Sequence, residues 1–361
     1  MKMRKIVCSF MISVVCFMTA ISGVSATSYD TSKINAAYSK VVEYYKNNNN
    51  LNNADKILAV ESLGLEAESN QFDTSSADLS STSLSKKIVT EVLLGVDPTE
   101  DKKTLESQID ENGNVEGSWG ASSDVWTLYA LYVTSSEKIN LIANKLNDEL
   151  AASSVCGYEW GGTYYADYDT TGWVIEGLAV VNKEKYATTI NKAIDYIKNN
   201  TTMTTTGWVT ADNVDTQSQV LEGMFAYDTN ALLNDSYTVH PVDCLLNTQL
   251  SDGSFPSGYN AEYTTAEVAK TLGTYKNGSV IIKAKKAYDK MMNPEQPDNT
   301  KPAQPTDTKK DSQSTNKVET TNQKTTSVKT GDETNVVIFV SLSMVSGGLF
   351  LVLRKEYERV H

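Results

Sequence analysis

The sequence predicts an all-α fold assembled from repeated helix pairs, and three observations predict it. Four apolar segments align along the chain: Trp126-Thr127-Leu128-Tyr129-Ala130-Leu131, Trp173-Val174-Ile175-Glu176-Gly177-Leu178, Gln219-Val220-Leu221-Glu222-Gly223-Met224 and Glu267-Val268-Ala269-Lys270-Thr271-Leu272. Their starts lie 46 to 48 residues apart, the fixed-period self-similarity of a repeat architecture. Three residues before each start stands a hydroxyl side chain, Ser123, Thr170, Thr216 or Thr264. Such a group accepts from the free amides of a helix's first turn, and Thr216-x-x-Gln219 and Thr264-x-x-Glu267 complete the capping-box pattern. Finally, a Gly- and aromatic-rich turn precedes each helix: Gly117-Ser118-Trp119-Gly120, Tyr158-Glu159-Trp160-Gly161-Gly162, Gly207-Trp208 and Asp252-Gly253-Ser254-Phe255.

In chain order, the first element is a targeting segment. Lys2, Arg4 and Lys5 form a basic head, an apolar run covers 6–21, and Val24-Ser25-Ala26 supplies small residues. This order is that of a cleaved signal peptide over residues 1–26, with cleavage after Ala26. An uncleaved anchor is the other reading, for which the apolar run is short. Helical patterns follow over 34–45, 53–67 and 84–95. Each repeat then contributes an opening helix and a second pattern, as at 139–150, 186–197 and 280–292, for eleven or twelve helices in all. Residues 27–293 are long enough for one substantial core. A helix pair of this size cannot bury its own apolar face, so neighbours must stack. An open solenoid and a closed ring both satisfy that demand. Five to six pairs suit a ring, and the helices after the aromatic turns are apolar enough to be its inner members.

Residues 294–329 are rich in Thr, Lys, Gln, Asn, Asp and Pro, too poor in apolar groups to fold, and read as an extended spacer. Residues 336–353 are apolar and about the length of a bilayer span, and Arg354 and Lys355 follow at once, as retention on the cytoplasmic side requires. Upstream lies Ser327-Val328-Lys329-Thr330-Gly331-Asp332. It resembles the Leu-Pro-x-Thr-Gly sorting signal of sortase-anchored surface proteins. Thr330 and Gly331 are kept, while Val328 stands in place of proline and Ser327 in place of leucine. The resemblance over 327–361 implies cleavage at Thr330-Gly331, sortase and peptidoglycan as partners, and display on a Gram-positive cell wall. A plain transmembrane anchor gives nearly the same location.

The chain carries 45 Asp and Glu against 32 Lys and Arg, with no basic stripe to neutralise phosphates, which excludes a nucleic-acid partner. Cys8 and Cys16 fall in the leader. Cys156 and Cys244 remain, either as a disulfide or as two buried thiols. Only His240 and His361 are histidines, so little zinc or triad chemistry is open. No metal and no cofactor is expected; His240 and Cys244, with Asp243 beside them, fall short of a zinc site.

The aromatic turn, the Asp-Thr-Thr step and the apolar helix together resemble the α/α-toroid of terpenoid cyclases and protein prenyltransferases. Gln249-x-x-x-Gly253-x-Phe255 is similar to that superfamily's Gln-Trp repeat motif, with Phe for Trp. Gly157 to Gly162 and Asp167-Tyr168-Asp169-Thr170-Thr171 are similar to the segments around it. The resemblance covers about 83–292, and 34–67 more weakly. It implies an α/α toroid of five to six helix pairs in inner and outer rings.

The cyclases use an activated Asp within Asp-x-Asp-Asp-Thr. Here Asp167 and Asp169 are the candidates, without the adjacent third carboxylate that helps set the acid's pKa; the plainer reading is that Asp169 helps to start a helix. The complement-type Cys-Gly-Glu-Gln thioester is not matched, because Tyr158 interrupts Cys156-Gly157-Tyr158-Glu159. Cobalamin carriers pair a toroid with a β-domain, of which the sequence shows no sign. What the residues favour is a non-catalytic module that binds a small molecule, glycan or protein where helix N-termini converge, with Trp119, Trp160, Tyr164, Tyr168, Trp208, Phe255 and Tyr259 gathered there. For each aromatic the plain alternative is packing between repeats. A cyclase-like enzyme and a structural or adhesive module stay open.

Overall fold

The computed structural model describes residues 29–294, apart from 49, 69–79, 202–207 and 209–212. The chain divides into Met1–Asp298 and Asn299–His361. The leader with Ala26, most of the spacer, Thr330-Gly331 and the apolar stretch 336–353 lie outside the described residues.

Among the described residues the regular elements are helices, with one two-stranded hairpin and an isolated bridge between Ile109 and Val115. The helices are α1 (Thr31–Asn47), α2 (Ala54–Ser62), α3 (Ser81–Leu93), α4 (Thr99–Ser107), α5 (Ala121–Val133) and α6 (Ile139–Ser153). After β1 (Gly157–Trp160) and β2 (Thr163–Ala166) come α7 (Tyr168–Asn200), α8 (Val214–Asn234), α9 (Pro241–Leu246), α10 (Ala261–Asn277) and α11 (Val280–Met292). None of them is long and apolar enough to cross a membrane.

Local chemistry explains where these helices start. Asp167, Asn213 and Asn260 hold extended or near-extended backbone, and their side-chain oxygens accept from the first free amides of α7, α8 and α10. The hydroxyls of Thr170, Thr216 and Thr264 therefore sit one turn inside the helix rather than at its cap. The repeat phase is as the sequence predicts, but α7 and α8 begin three residues earlier and α10 four. A carboxylate or carboxamide at the cap satisfies the orphan amides as well as a hydroxyl does. Thr170 answers its cap in reverse, its hydroxyl donating to Asp167 Oδ2 at 3.0 Å.

The expected helix–loop–helix units are more compact than the sequence suggests. In α7 and α8 the loop shrinks to one non-helical residue, Asn182 and Asp228 respectively. Each side chain re-caps the following turn: Asn182 Oδ1 accepts from the Lys185 amide and Asp228 Oδ1 from that of Ala231, both at 2.9 Å. The helix expected over 186–197 is thus the second half of α7.

Packing separates two kinds of helix. α5 is buried on nearly every side, as are 264–274 of α10 and 214–225 of α8. A helix apolar or enclosed all round belongs to an interior. α1 and α11 bury only a stripe, Val280, Ile281, Ala284 and Tyr288 in the latter. Contacts run from α2 to α3, α5, α7, α8 and α10 in turn, and α10 packs back on α2. α11 lies against α2, α3, α5 and α10. At the α7–α8 crossing the backbones nearly touch. A Cβ on Gly172 would meet the Gln219 carbonyl, and one on Gly223 would meet the carbonyl of Gly172. Glycine at both positions is what permits the approach.

Candidate functional site

The N-termini of α5, α7 and α8 converge on an open cleft of about 570 Å³. Its wall carries Tyr158, Tyr168 and Trp173, and its polar groups include Asp167, Asp169 and Asn213. No Lys or Arg lines it among the described residues. Three positive helix ends face this space, a field that favours electron-rich ligand groups.

The two acids differ in role. Asp167 caps α7, accepting from the Thr170 amide at 2.7 Å. Burial raises its pKa, and the Thr170 bonds partly offset that. Asp169 stands in the first turn. Burial pushes its pKa up to about 7 against a hydrogen bond from Thr216, with the charges of Asp167, Asp215 and Glu267 adding to the rise. Both acids thus stand at the start of α7: Asp167 is its cap, and Asp169 is the acidic residue of its first turn. Trp173 Nε1 is buried and has no partner among the described residues.

Beside the cleft stands an aromatic ledge. The stretch read from sequence as an aromatic turn is the β1–β2 hairpin, with Tyr158 opposite Tyr165 and Trp160 opposite Thr163. Gly161 and Gly162 both take positive φ, +59° and +76°, the conformation a tight two-residue turn requires. Strand alternation sends Tyr158, Trp160 and Tyr165 to one face. Tyr158 and Tyr165 stack with centroids 5.5 Å apart. Trp119 docks on the hairpin through its carbonyl, which accepts from the Glu159 amide at 2.7 Å. Its ring meets Trp160 edge-on, 6.0 Å between centroids and 74° between planes. Trp119 is 57 % exposed and Trp160 64 %.

Of the other sequence candidates, Tyr259 is 70 % exposed, its ring 6.1 Å from that of Tyr263. Tyr164 is exposed and donates to Glu149 at 2.8 Å, on the hairpin face opposite Trp160. Tyr168 edges the cleft. Trp208 and Phe255 are corrections: both are fully buried. Trp208 Nε1 donates to Thr201 Oγ1 at 2.9 Å, and the Phe255 amide donates to Thr265 Oγ1 at 3.0 Å. They plug the core between repeats. Cys156 and Cys244 are not bonded to each other; both are buried, and burial raises both thiol pKa values, that of Cys244 to about 11. No group of acidic, His and Cys side chains among the described residues could hold a metal ion.

Alignment of the repeats also locates a group that sequence reasoning missed. The fourth positions of the aligned segments, Tyr129, Glu176, Glu222 and Lys270, are all buried and lie together. Tyr129 donates to Glu176 at 3.0 Å, and Ser279 donates to the same carboxylate at 2.6 Å. Lys270 pairs with Glu267 at 3.0 Å and with Glu222 at 3.9 Å. The first positions form a neighbouring layer. Trp126 meets Trp173 edge-on at 5.9 Å, and Gln219 Nε2 donates to Glu267 at 3.2 Å. The ammonium groups of Lys86 and Lys270 lie over the Trp126 ring, 4.5 and 5.3 Å from its centre. Burial, then the Glu176 charge, drives the Glu222 pKa well up despite Lys270. Burial opposes charge on Lys270, but Glu267 and Glu222 outweigh it and hold its pKa above the usual range. The polar fourth position was visible in the alignment; its convergence was not.

Compared with protein-family models, curated proteins and solved structures, the chain matches none.

Proposed function

We propose that this chain is an exported protein displayed on a Gram-positive cell surface, where an α/α toroid binds a ligand or partner at the mouth formed by the N-termini of α5, α7 and α8. The observation that carries the binding reading is the exposed Trp119–Trp160 pair on a hydrogen-bonded hairpin beside a 570 Å³ cleft. Large apolar rings exposed together in a soluble setting mark interaction sites. The ring arrangement is supported by the run of contacts that leads from α2 through α10 back to α2, and by the meeting of equivalent positions from four repeats. The basic–apolar–small leader, the polar spacer and the Thr330-Gly331 tail support display, with sortase and peptidoglycan as partners.

A cyclase-like enzyme is the second reading, and one observation favours it: Asp169 borders the cleft with a pKa of about 7, suited to general-acid work at neutral pH. The surroundings weigh against it. A carbocation needs an apolar aromatic chamber, whereas the interior beside this cleft holds Lys270, Glu176, Glu222 and Glu267. Incubation of the full chain with squalene and farnesyl diphosphate, followed by extraction and mass spectrometry, separates the two. The binding reading expects no cyclised product. A product that disappears in Asp169→Asn overturns it. A structural or adhesive module without a pocket ligand is the third reading, addressed by the experiment below.

A further inference from the structure

The binding reading leaves the ligand's chemistry open, and the cleft constrains it. Charge comes first. Asp167 and Asp169 line the space and no cation does among the described residues, so phosphorylated, sulfated or uronic ligands meet repulsion. The N-termini of α7 and α8 oppose an organic cation, and Asp167 is already engaged by the amide and hydroxyl of Thr170. The site therefore suits a neutral molecule dense in hydroxyl groups.

Hydrogen bonding agrees. Ser122 brings a hydroxyl to the lining, Asn213 the amide nitrogen left over when its oxygen caps α8, and Asp169 a carboxyl that Thr216 engages on one side. The Trp173 indole N–H is buried without a partner among the described residues. A buried donor in that state costs free energy that an incoming oxygen would recover. Hydroxyls both donate and accept, so one sugar ring can serve donors and acceptors placed on different helices.

Ring geometry agrees as well. The Trp119 and Trp160 planes stand at 74°, an angled ledge with more than half of each side chain in solvent. A pyranose has an apolar face of axial C–H groups that stacks on such an indole, while its equatorial hydroxyls project sideways. Aromatic faces provide large, rigid contact area at low entropic cost. The ledge borders the cleft through Tyr158, which belongs to both. One sugar on the ledge and the next in the cleft would be consecutive units of a chain.

We propose that the Trp119–Trp160 ledge and the adjoining cleft form a site for a neutral pyranose-containing glycan, stacked on the indoles and hydrogen-bonded below them. This rests on the binding reading above. The test is ¹⁹F NMR of the full chain labelled with 5-fluorotryptophan, whose five tryptophans are assigned through single Trp→Phe variants. The detergent is a polyoxyethylene without sugar groups. Probes are hexasaccharides of glucose, N-acetylglucosamine, mannose and galactose, with spermine and a lysine-rich peptide as cationic comparators. At least one neutral hexasaccharide should shift the Trp119 and Trp160 resonances and leave that of Trp208 in place. Trp160→Ala should weaken it about tenfold or more, as a hot-spot aromatic does, and Trp160→Phe should retain most of the affinity. A shift caused by spermine or the peptide, with none from any saccharide, overturns the glycan assignment while the binding reading stands. No shift from any probe overturns both and leaves a structural module. Saccharide binding of full strength in Trp160→Ala overturns the ledge.

Discussion

The aromatic turns of the second and third repeats carry the same sequence signal and meet opposite fates. Trp160 stands in solvent on a hairpin; Trp208 is sealed in the core with its indole N–H tied to Thr201. The fourth repeat explains the difference. There Phe255 plugs the core, its amide on Thr265 Oγ1. In the second repeat the same backbone bond belongs to Cys156, whose amide donates to Thr171 Oγ1 at 2.9 Å. Cys156 is thus the counterpart of Phe255, and the hairpin of residues 157–166 lengthens the link from that plug to the helix cap at Asp167, where the fourth repeat has only residues 256–259. Trp160 is not a displaced core residue. It belongs to extra chain added beside the cleft, and added chain that exposes aromatics is where a recognition role is to be sought.

Substitutions sharpen this contrast, and the largest effect is expected at the plug. Trp208→Ala should cost about 3–5 kcal/mol of unfolding free energy, the range for emptying a buried Trp site. Urea titration followed by circular dichroism measures it, and a loss below about 1 kcal/mol would remove the distinction between plug and ledge.

Next comes Asp169, on the ledge side of the contrast. Its folded pKa is raised above the unfolded value, so its favourable contribution is complete below pH about 4 and lost as pH rises to about 7. Each pH unit in that window removes about 1.4 kcal/mol. Asp169→Asn should therefore match the natural chain near the lower limit and exceed it by up to about 4 kcal/mol at neutral pH. Parallel urea titrations at the two pH values check the sign; equal stability differences at both would show an ordinary carboxyl.

Smaller still is the cap. Asp167→Ala should cost about 1 kcal/mol, while Asp167→Asn, which keeps the acceptor oxygen, should cost little. Thermal unfolding of the pair distinguishes lost capping from lost charge. The smallest effect is expected on the ledge itself: Trp160→Ala should change stability by no more than about 0.5 kcal/mol, as an exposed position does. A larger loss would mean that the hairpin helps to hold the fold together.

Much of the fold was legible in the residues. The repeat phase, the helix-opening positions to within one turn, and the pairing of helices all follow from apolar spacing and capping chemistry. The hairpin was legible too, since Gly161-Gly162 between Gly157-Tyr158-Glu159-Trp160 and Thr163-Tyr164-Tyr165-Ala166 is a turn flanked by short strands, but the repeat pattern masked it. Asn182 and Asp228 were harder, because an Asx residue inside an apolar pattern reads equally as a surface position or as an internal cap.

By itself the sequence determined the periodic scaffold, because local propensity and hydrophobic period depend on residues only a few places apart. Only the tertiary structure decided which aromatic is a plug and which a ledge, because burial depends on partners a full repeat away. The same holds for the interior. Tyr129, Glu176, Glu222 and Lys270 each look like one polar interruption of an apolar helix. They become a shared ionic layer only when four helices bring them together, where removal from water makes each side chain's charge depend on the others.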